Sequence, residues 1–347
     1  MQTIPSSVGA PPRDRTDAAL LEVDNLTMEY EVDSGNVSAV SNVSFTLLAG
    51  ESLGLVGESG CGKTSVAMSL LRLQADNARF REGEIRLNGE DLLPLSEAEM
   101  RTHRWKDISM VFQGAMNAWN PVQRVGAQIL EAINLHIKPR PTAAEARQRM
   151  EELFNLVGVD PKMLDRYPHE FSGGMRQRAI IAMALSCDPQ IIIADEPTTA
   201  LDVIVQDQIL AQLLRIQKEL GMAIIYISHD IAVIAEVTQN IAVMYAGRIV
   251  EIGPTQEVFA NPRHPYGYLL LHSAPSITGP RRKLAPLKGE PPNLINPPSG
   301  CRFHPRCPFA TEKCAAESPP LEEVSPGHSV ECWHWDKVPL MAEEGLA

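Results

Sequence analysis

The sequence predicts an α/β protein with a largely parallel sheet, a helical segment inserted in it, and an irregular, cysteine-containing C-terminal lobe. Three observations carry this. Short β-like runs alternate with helical patterns from Leu20 to about Glu251. One strand–helix junction is a glycine-rich loop of the kind that opens many such folds. Beyond Gly253 the composition changes abruptly, with sixteen of the 27 prolines lying from Pro254 onward.

In chain order, residues 1–18 are polar and contain Pro and Ser, and read as a disordered leader. Residues 19–253 form the α/β domain, with its clearest strands at Ser52–Val56, Ile108–Phe112, Gln190–Ala194 and Ala223–Ile227. Within it, about residues 114–175 lack β-branched runs, and AAEARQRMEELFNLVGV has helical periodicity, so this stretch is expected to be a helical subdomain. Residues 254–347 form an extension too rich in Pro to fold without some further anchor.

Composition narrows the function classes. Of 347 residues, 44% are hydrophobic and 21% charged, as in an ordinary globular protein. The net charge is −12 and no basic run exceeds Arg281-Arg282-Lys283, which argues against a nucleic-acid binder. A membrane helix needs roughly 20 apolar residues. The richest stretch, Ala223 to Tyr245, is broken by His229, Asp230, Glu236 and Asn240. The N-terminus has no apolar core of a signal peptide, so the chain is expected to stay in the cytosol, where disulfides are rare.

Gly57-Glu58-Ser59-Gly60-Cys61-Gly62-Lys63-Thr64, followed by Ser65, fits the phosphate-loop pattern between the strand-like SLGLV and the helical TSVAMSLLRL. The glycines let backbone N–H groups turn toward phosphates at a helix N-terminus. Lys63 would neutralise the β- and γ-phosphates, and Thr64 would offer a hydroxyl to Mg²⁺. Cys61, beside Lys63 and a helix start, is expected to be an activated thiol. Downstream, the apolar run Ile191-Ile192-Ile193-Ala194 ends in Asp195-Glu196. A strand buried on both faces delivers Asp195 to Mg²⁺ at its C-terminal end, and Glu196 is placed to polarise an attacking water.

Upstream of that strand, Phe171-Ser172-Gly173-Gly174-Met175 opens the helical MRQRAIIAMAL, with Ser172 as its N-cap. The chain thus carries a second helix start suited to phosphate. A two-fold pair, each phosphate loop facing the other copy's Ser172-Gly173-Gly174, uses both ends.

Together these motifs resemble the nucleotide-binding subunits of ABC transporters, and the fold expected is a P-loop ABC ATPase core. The resemblance implies ATP and Mg²⁺ as ligands. It also implies further roles. Gln113, closing ISMVF, would sense the γ-phosphate and Mg²⁺; Asp202, in Ala200-Leu201-Asp202, would belong to a loop crossing the dimer interface; His229 would hold the γ-phosphate; and Tyr30 would stack on adenine. Two positions depart from the family pattern, Phe171 and Met175, and both leave the Ser-Gly-Gly intact. More narrowly, YPHEFSGGMRQR, NPVQRVGAQILE, NPRHPYGYLLL and GCRFHPRCPFATEKC are similar to the ATP-binding subunits of dipeptide/oligopeptide importers. That implies a second ATPase subunit, identical or paralogous, two transmembrane permease subunits docked by the helical insertion, an extracytoplasmic substrate-binding protein, and a peripheral place on the cytoplasmic face of the membrane. A soluble ABC ATPase acting on nucleic acid or ribosomes is the alternative; such proteins usually carry fused cassettes, long coiled coils or basic patches.

Cys301, Cys307, Cys314 and Cys332 crowd into the tail. Four thiols in a core-poor segment suggest a metal staple. A zinc site usually includes a C-x₂₋₄-C pair, absent here. Irregular spacing suits an iron–sulfur cluster, and the resemblance implies a 4Fe–4S cluster at these cysteines, with zinc or free thiols as the lesser possibilities. The cluster lies more than 100 residues beyond Glu196, outside every ATP motif, and is expected to be structural.

Overall fold

A computed structural model describes residues 19–199, 201–273, 287 and 289–341; the leader expected over 1–18 lies outside them. Two long strands, β1 (Ala19–Val32) and β2 (Gly35–Leu48), precede β3 (Ser52–Val56), which is buried along its whole length and runs into the glycine-rich loop and α1 (Lys63–Leu70). Next come β4 (Ala78–Leu87), β5 (Glu90–Asp91), α2 (Glu97–His103) and β6 (Ile108–Val111). A helical stretch follows with α3 (Val125–His136), α4 (Ala143–Leu156) and α5 (Gly173–Ala184). Then come β7 (Ile191–Asp195), α6 (Val203–Leu220), β8 (Ala223–Ile227), α7 (Ile231–Val237), β9 (Asn240–Tyr245) and β10 (Arg248–Pro254). The tail adds α8 (Thr255–Ala260), α9 (Pro265–Ser273), α10 (Glu312–Ala316), β11 (Glu322–Ser325) and β12 (His328–Val330).

The described chain divides into two compact units whose borders do not follow the linear domains. One contains Leu47–Ser52 and Pro94–Tyr226. Here β6 and β7 pair in parallel, in the order β8-β7-β6, and the helices α3 to α5 belong to the same unit. Helix α4 begins where the sequence supplies a capping box, Thr142 accepting from the Glu145 N–H while Glu145 reaches back to the Thr142 N–H.

The other unit contains Leu21–Thr46, Leu53–Leu93 and the chain from Ile227. It holds the antiparallel sheet β2-β1-β4-β5 and a mixed set in the order β11-β12-β10-β9-β3. Strands β3 and β9 are parallel, whereas β9–β10 and β10–β12 are antiparallel. The tail, expected to be mostly irregular, also contributes a strand pair to this set. Hairpin β11–β12 turns at Pro326-Gly327, with Gly327 at φ 72, and adds β12 to β10 through Glu251↔Val330 and Ile252↔Ser329. Proline at the first and glycine at the second corner suits a type II turn. The tail's anchor is a buried carboxylate. Glu251 accepts hydrogen bonds from His328 Nε2 (2.8 Å) and from the Arg263 and His264 N–H groups (2.6 and 3.1 Å). A buried carboxylate with three donors holds three separate segments at one point.

Candidate active site

The phosphate loop is shaped by three glycines at φ 152 (Gly57), 79 (Gly60) and 108 (Gly62). Those backbone angles are open to glycine and strained for other residues. The loop curls around Lys63, a buried side chain whose Nζ donates to the carbonyl oxygens of Gly57 (2.7 Å) and Glu58 (3.0 Å). Thr64 is exposed at the start of α1, and the next residue, Ser65, has its hydroxyl 3.3 Å from that of Tyr30. Tyr30 reaches it from β1, where it pairs with Ala78 of β4. In the same unit, the Ser228 N–H donates to Leu55 O at 3.4 Å, tying the turn that carries the exposed His229 to the strand feeding the phosphate loop. Asp230 caps α7 immediately after that turn, accepting from the Ala232 and Val233 N–H groups.

The other unit carries the acidic residues. Strand β7 is wholly buried, and Asp195 at its end is 2% exposed. Glu196, at φ 48, leaves the strand with its Oε2 accepting from Gln113 Nε2 (2.7 Å) and Thr199 Oγ1 (3.0 Å). Two neutral donors thus orient this carboxylate. Ser172 caps α5, accepting from the Met175 N–H at 3.3 Å. Gly174 lies so close to α6 that a Cβ there would stand 2.7 Å from Val205 Cγ1. Asp202 caps α6 through the Val205 N–H (3.0 Å), and the next two residues, Val203 and Ile204, are exposed apolar side chains at 73% and 72%.

The sequence of the whole chain was compared with known proteins. The ABC transporter family pattern matches residues 40–199, and the pattern of the C-terminal region of oligopeptide/dipeptide transporters matches residues 250–314. The oligopeptide transport ATP-binding protein OppD of Salmonella typhimurium is 46% identical over 90% of this chain and 93% of its own length. The dipeptide transport ATP-binding protein DppD of Bacillus subtilis is 45% identical over 92% of this chain and 95% of its own. The chain belongs to the ATP-binding subunits of the dipeptide/oligopeptide ABC transporter family. Among solved structures, a dimeric bacterial ABC transporter cassette, MJ0796, matches 68% of this chain and 98% of its own at TM-score 0.61 and 26% identity. The same cassette in a dimeric post-hydrolysis state with ADP and Pi matches at TM-score 0.61 and 25% identity. This chain is an ABC-type ATPase. Among the described residues, no helix is long and apolar enough to cross a membrane.

The residues present suit MgATP: an inward-curled amide loop around a buried lysine, and a carboxylate buried at the end of an apolar strand. For the four tail cysteines the structure gives no comparable support for a metal centre. Among the described residues, no group of three or more His, Cys, Asp or Glu side chains is arranged to hold a metal ion. The expected 4Fe–4S cluster, and zinc as its substitute, are therefore not supported, and the Glu251 knot supplies the anchor for which a metal was invoked.

One further expectation is corrected. Cys61 is not an activated thiol: it is 4% exposed, and burial raises its pKa despite the opposing influence of Lys63. The tail also reaches the phosphate loop. The Glu58 N–H donates to Tyr266 Oη at 2.8 Å, and Arg306 forms a two-pronged pair with the Glu58 carboxylate at 2.7 and 3.1 Å. Sequence reasoning missed Glu58, Tyr266 and Arg306. Glu58 occupies a variable loop position, and its arginine partner lies 248 residues away with no periodic signal to announce it.

Proposed function

We propose that this ATPase drives import of dipeptides, oligopeptides or a related solute, acting with a second ATP-binding subunit, two transmembrane permease subunits and an extracytoplasmic substrate-binding protein at the cytoplasmic face of the membrane. The observation that carries this reading is the reach of the similarity. It continues past the ATPase core into the tail, where the oligopeptide/dipeptide transporter pattern matches residues 250–314.

In this reading Gly57, Ser59, Gly60, Cys61, Gly62, Lys63 and Thr64 present amides, the ammonium and a hydroxyl to the phosphates, Ser65 continues the helix start, and Tyr30 meets the adenine. Thr64, Gln113 and Asp195 offer the oxygen ligands that suit Mg²⁺, whose charge offsets that of the phosphates. Glu196 polarises the attacking water, and His229 donates to the γ-phosphate oxygens. Ser172, Gly173, Gly174 and Asp202 serve the nucleotide held by the partner subunit. ATP thus closes the pair and hydrolysis reopens it, and the helical insertion passes that movement to the permeases.

The test is affinity purification of the tagged chain from solubilised membranes, followed by reconstitution. Two multi-span subunits should co-purify, and ATP turnover should rise when peptide-loaded binding protein is added. Recovery with ribosomes or nucleic acid and no membrane subunit would refute the transport reading.

A further inference from the structure

The segment between the first two tail cysteines, Cys301–Cys307, carries two arginines, and both reach the phosphate loop's surroundings. Arg302 donates to Ala246 O and to the hydroxyls of Ser38 (3.3 Å) and Ser41 (3.0 Å). Ala246 and Gly247, at φ 49 and 84, form the turn between β9 and β10, and the Gly247 N–H donates to Cys61 O at 2.8 Å. Arg306 grips the other side of the loop. Its side chain is 6% exposed and packs against the Tyr245 and Phe303 rings, 5.7 and 6.0 Å from their centroids, while both guanidinium nitrogens engage Glu58. Tyr266, in contact with the same aromatic rings, accepts from the Glu58 N–H.

Glu58 places a carboxylate in the segment that must receive a polyanion. Its main chain is part of the cradle, because Glu58 O accepts from Lys63 Nζ. Left alone, the carboxylate would repel the triphosphate and compete for Lys63. The bidentate, largely buried arginine neutralises it and fixes its direction.

We propose that Arg306 is a positioning residue for ATP binding: by pairing with Glu58 it holds the phosphate loop in its receiving shape, so that the cysteine-rich tail sets the affinity of the site for nucleotide. This rests on the phosphate loop being the ATP site.

The experiment is a double-mutant cycle on the full chain, with Kd for MgATP measured by titration calorimetry and KM and kcat measured in the assembled transporter. Arg306→Met should weaken ATP binding by more than about fivefold, about 1 kcal/mol, raising KM more than it lowers kcat. In the Glu58→Gln background the same change should cost less than about twofold, because the charge it neutralises is gone. If Arg306→Met does not fold, as judged by its melting curve, Arg306→Lys in the two backgrounds replaces it with the same expected ordering. A loss of equal size in both backgrounds, or an Arg306 variant that binds ATP as the wild type does, overturns the proposal. Wild-type protein that binds no ATP would instead sink the assignment of the site itself.

Discussion

Replacing Gly62 with Ala tests the internal geometry of the phosphate loop without reference to nucleotide. At φ 108 the residue sits where a side chain is strained, and a Cβ would lie 2.3 Å from the Ala39 carbonyl oxygen of β2, which is backbone and cannot swing aside. The backbone strain costs about 1–2 kcal/mol, and forcing the loop off β2 adds about 1–3 kcal/mol. Gly60→Ala is the control. Its φ is 79, but a Cβ there meets nothing within 4 Å, so only the backbone strain applies. For a chain of 347 residues each kcal/mol lowers Tm by about 1–2 °C. In nucleotide-free thermal melts Gly62→Ala should therefore fall by roughly 2–10 °C and Gly60→Ala by about 1–4 °C. A Gly62→Ala melt within about 2 °C of wild type, or two variants that fall equally, would refute this account of the loop.

Three other outcomes follow from the described contacts. Glu196→Gln should keep MgATP binding and lose at least about tenfold in turnover, about 1.4 kcal/mol in the barrier; a smaller loss in a steady-state assay would mean that another group polarises the water. Cys61 should resist alkylation in native protein at neutral pH whether or not ATP is present, since it is buried with a raised pKa; rapid labelling followed by mass spectrometry would contradict its placement. His264 is fully buried, and burial holds its pKa down at about 3. Its neutral form is thus favoured by the fold, and the associated stability is intact above the ordinary histidine pKa near 6.5. It is lost as pH falls from there toward 3, at up to about 1.4 kcal/mol per pH unit. Urea midpoints from pH 7 to 4.5 should show that slope in wild type and a shallower one in His264→Asn, and equal slopes would remove His264 from the acid response.

The parts of the site that a short run of residues determines were legible in the sequence. The phosphate loop, the strand Ile191–Asp195 and the Ser172 cap announce themselves because spacing along the chain is spacing in the element. The helices from Val125 to Ala184 were equally readable from their 3.6-residue pattern. The tail was not. Its prolines suggested an irregular lobe, whereas the Pro326-Gly327 turn makes a hairpin that joins β10. The grouping of its cysteines drew attention to metal, whereas Glu251 with His328 and the amides of Arg263 and His264 holds the segments together. Such a knot joins residues far apart in sequence, each of which alone reads as an ordinary surface residue. The Glu58–Arg306 pair is invisible for the same reason.

The central claim is that this ATPase completes its site with residues of a second subunit, and Ser172→Arg tests it most directly. The substitution places a bulky cation at a helix start lying in the compact unit that does not contain the phosphate loop. ATP titration of the isolated chain and ATP turnover of the assembled transporter should then separate. The account predicts unchanged nucleotide affinity in the isolated chain and turnover abolished in the transporter. An isolated, monomeric wild-type chain that hydrolyses ATP at the transporter's full rate, or a Ser172→Arg transporter that retains it, would contradict the account.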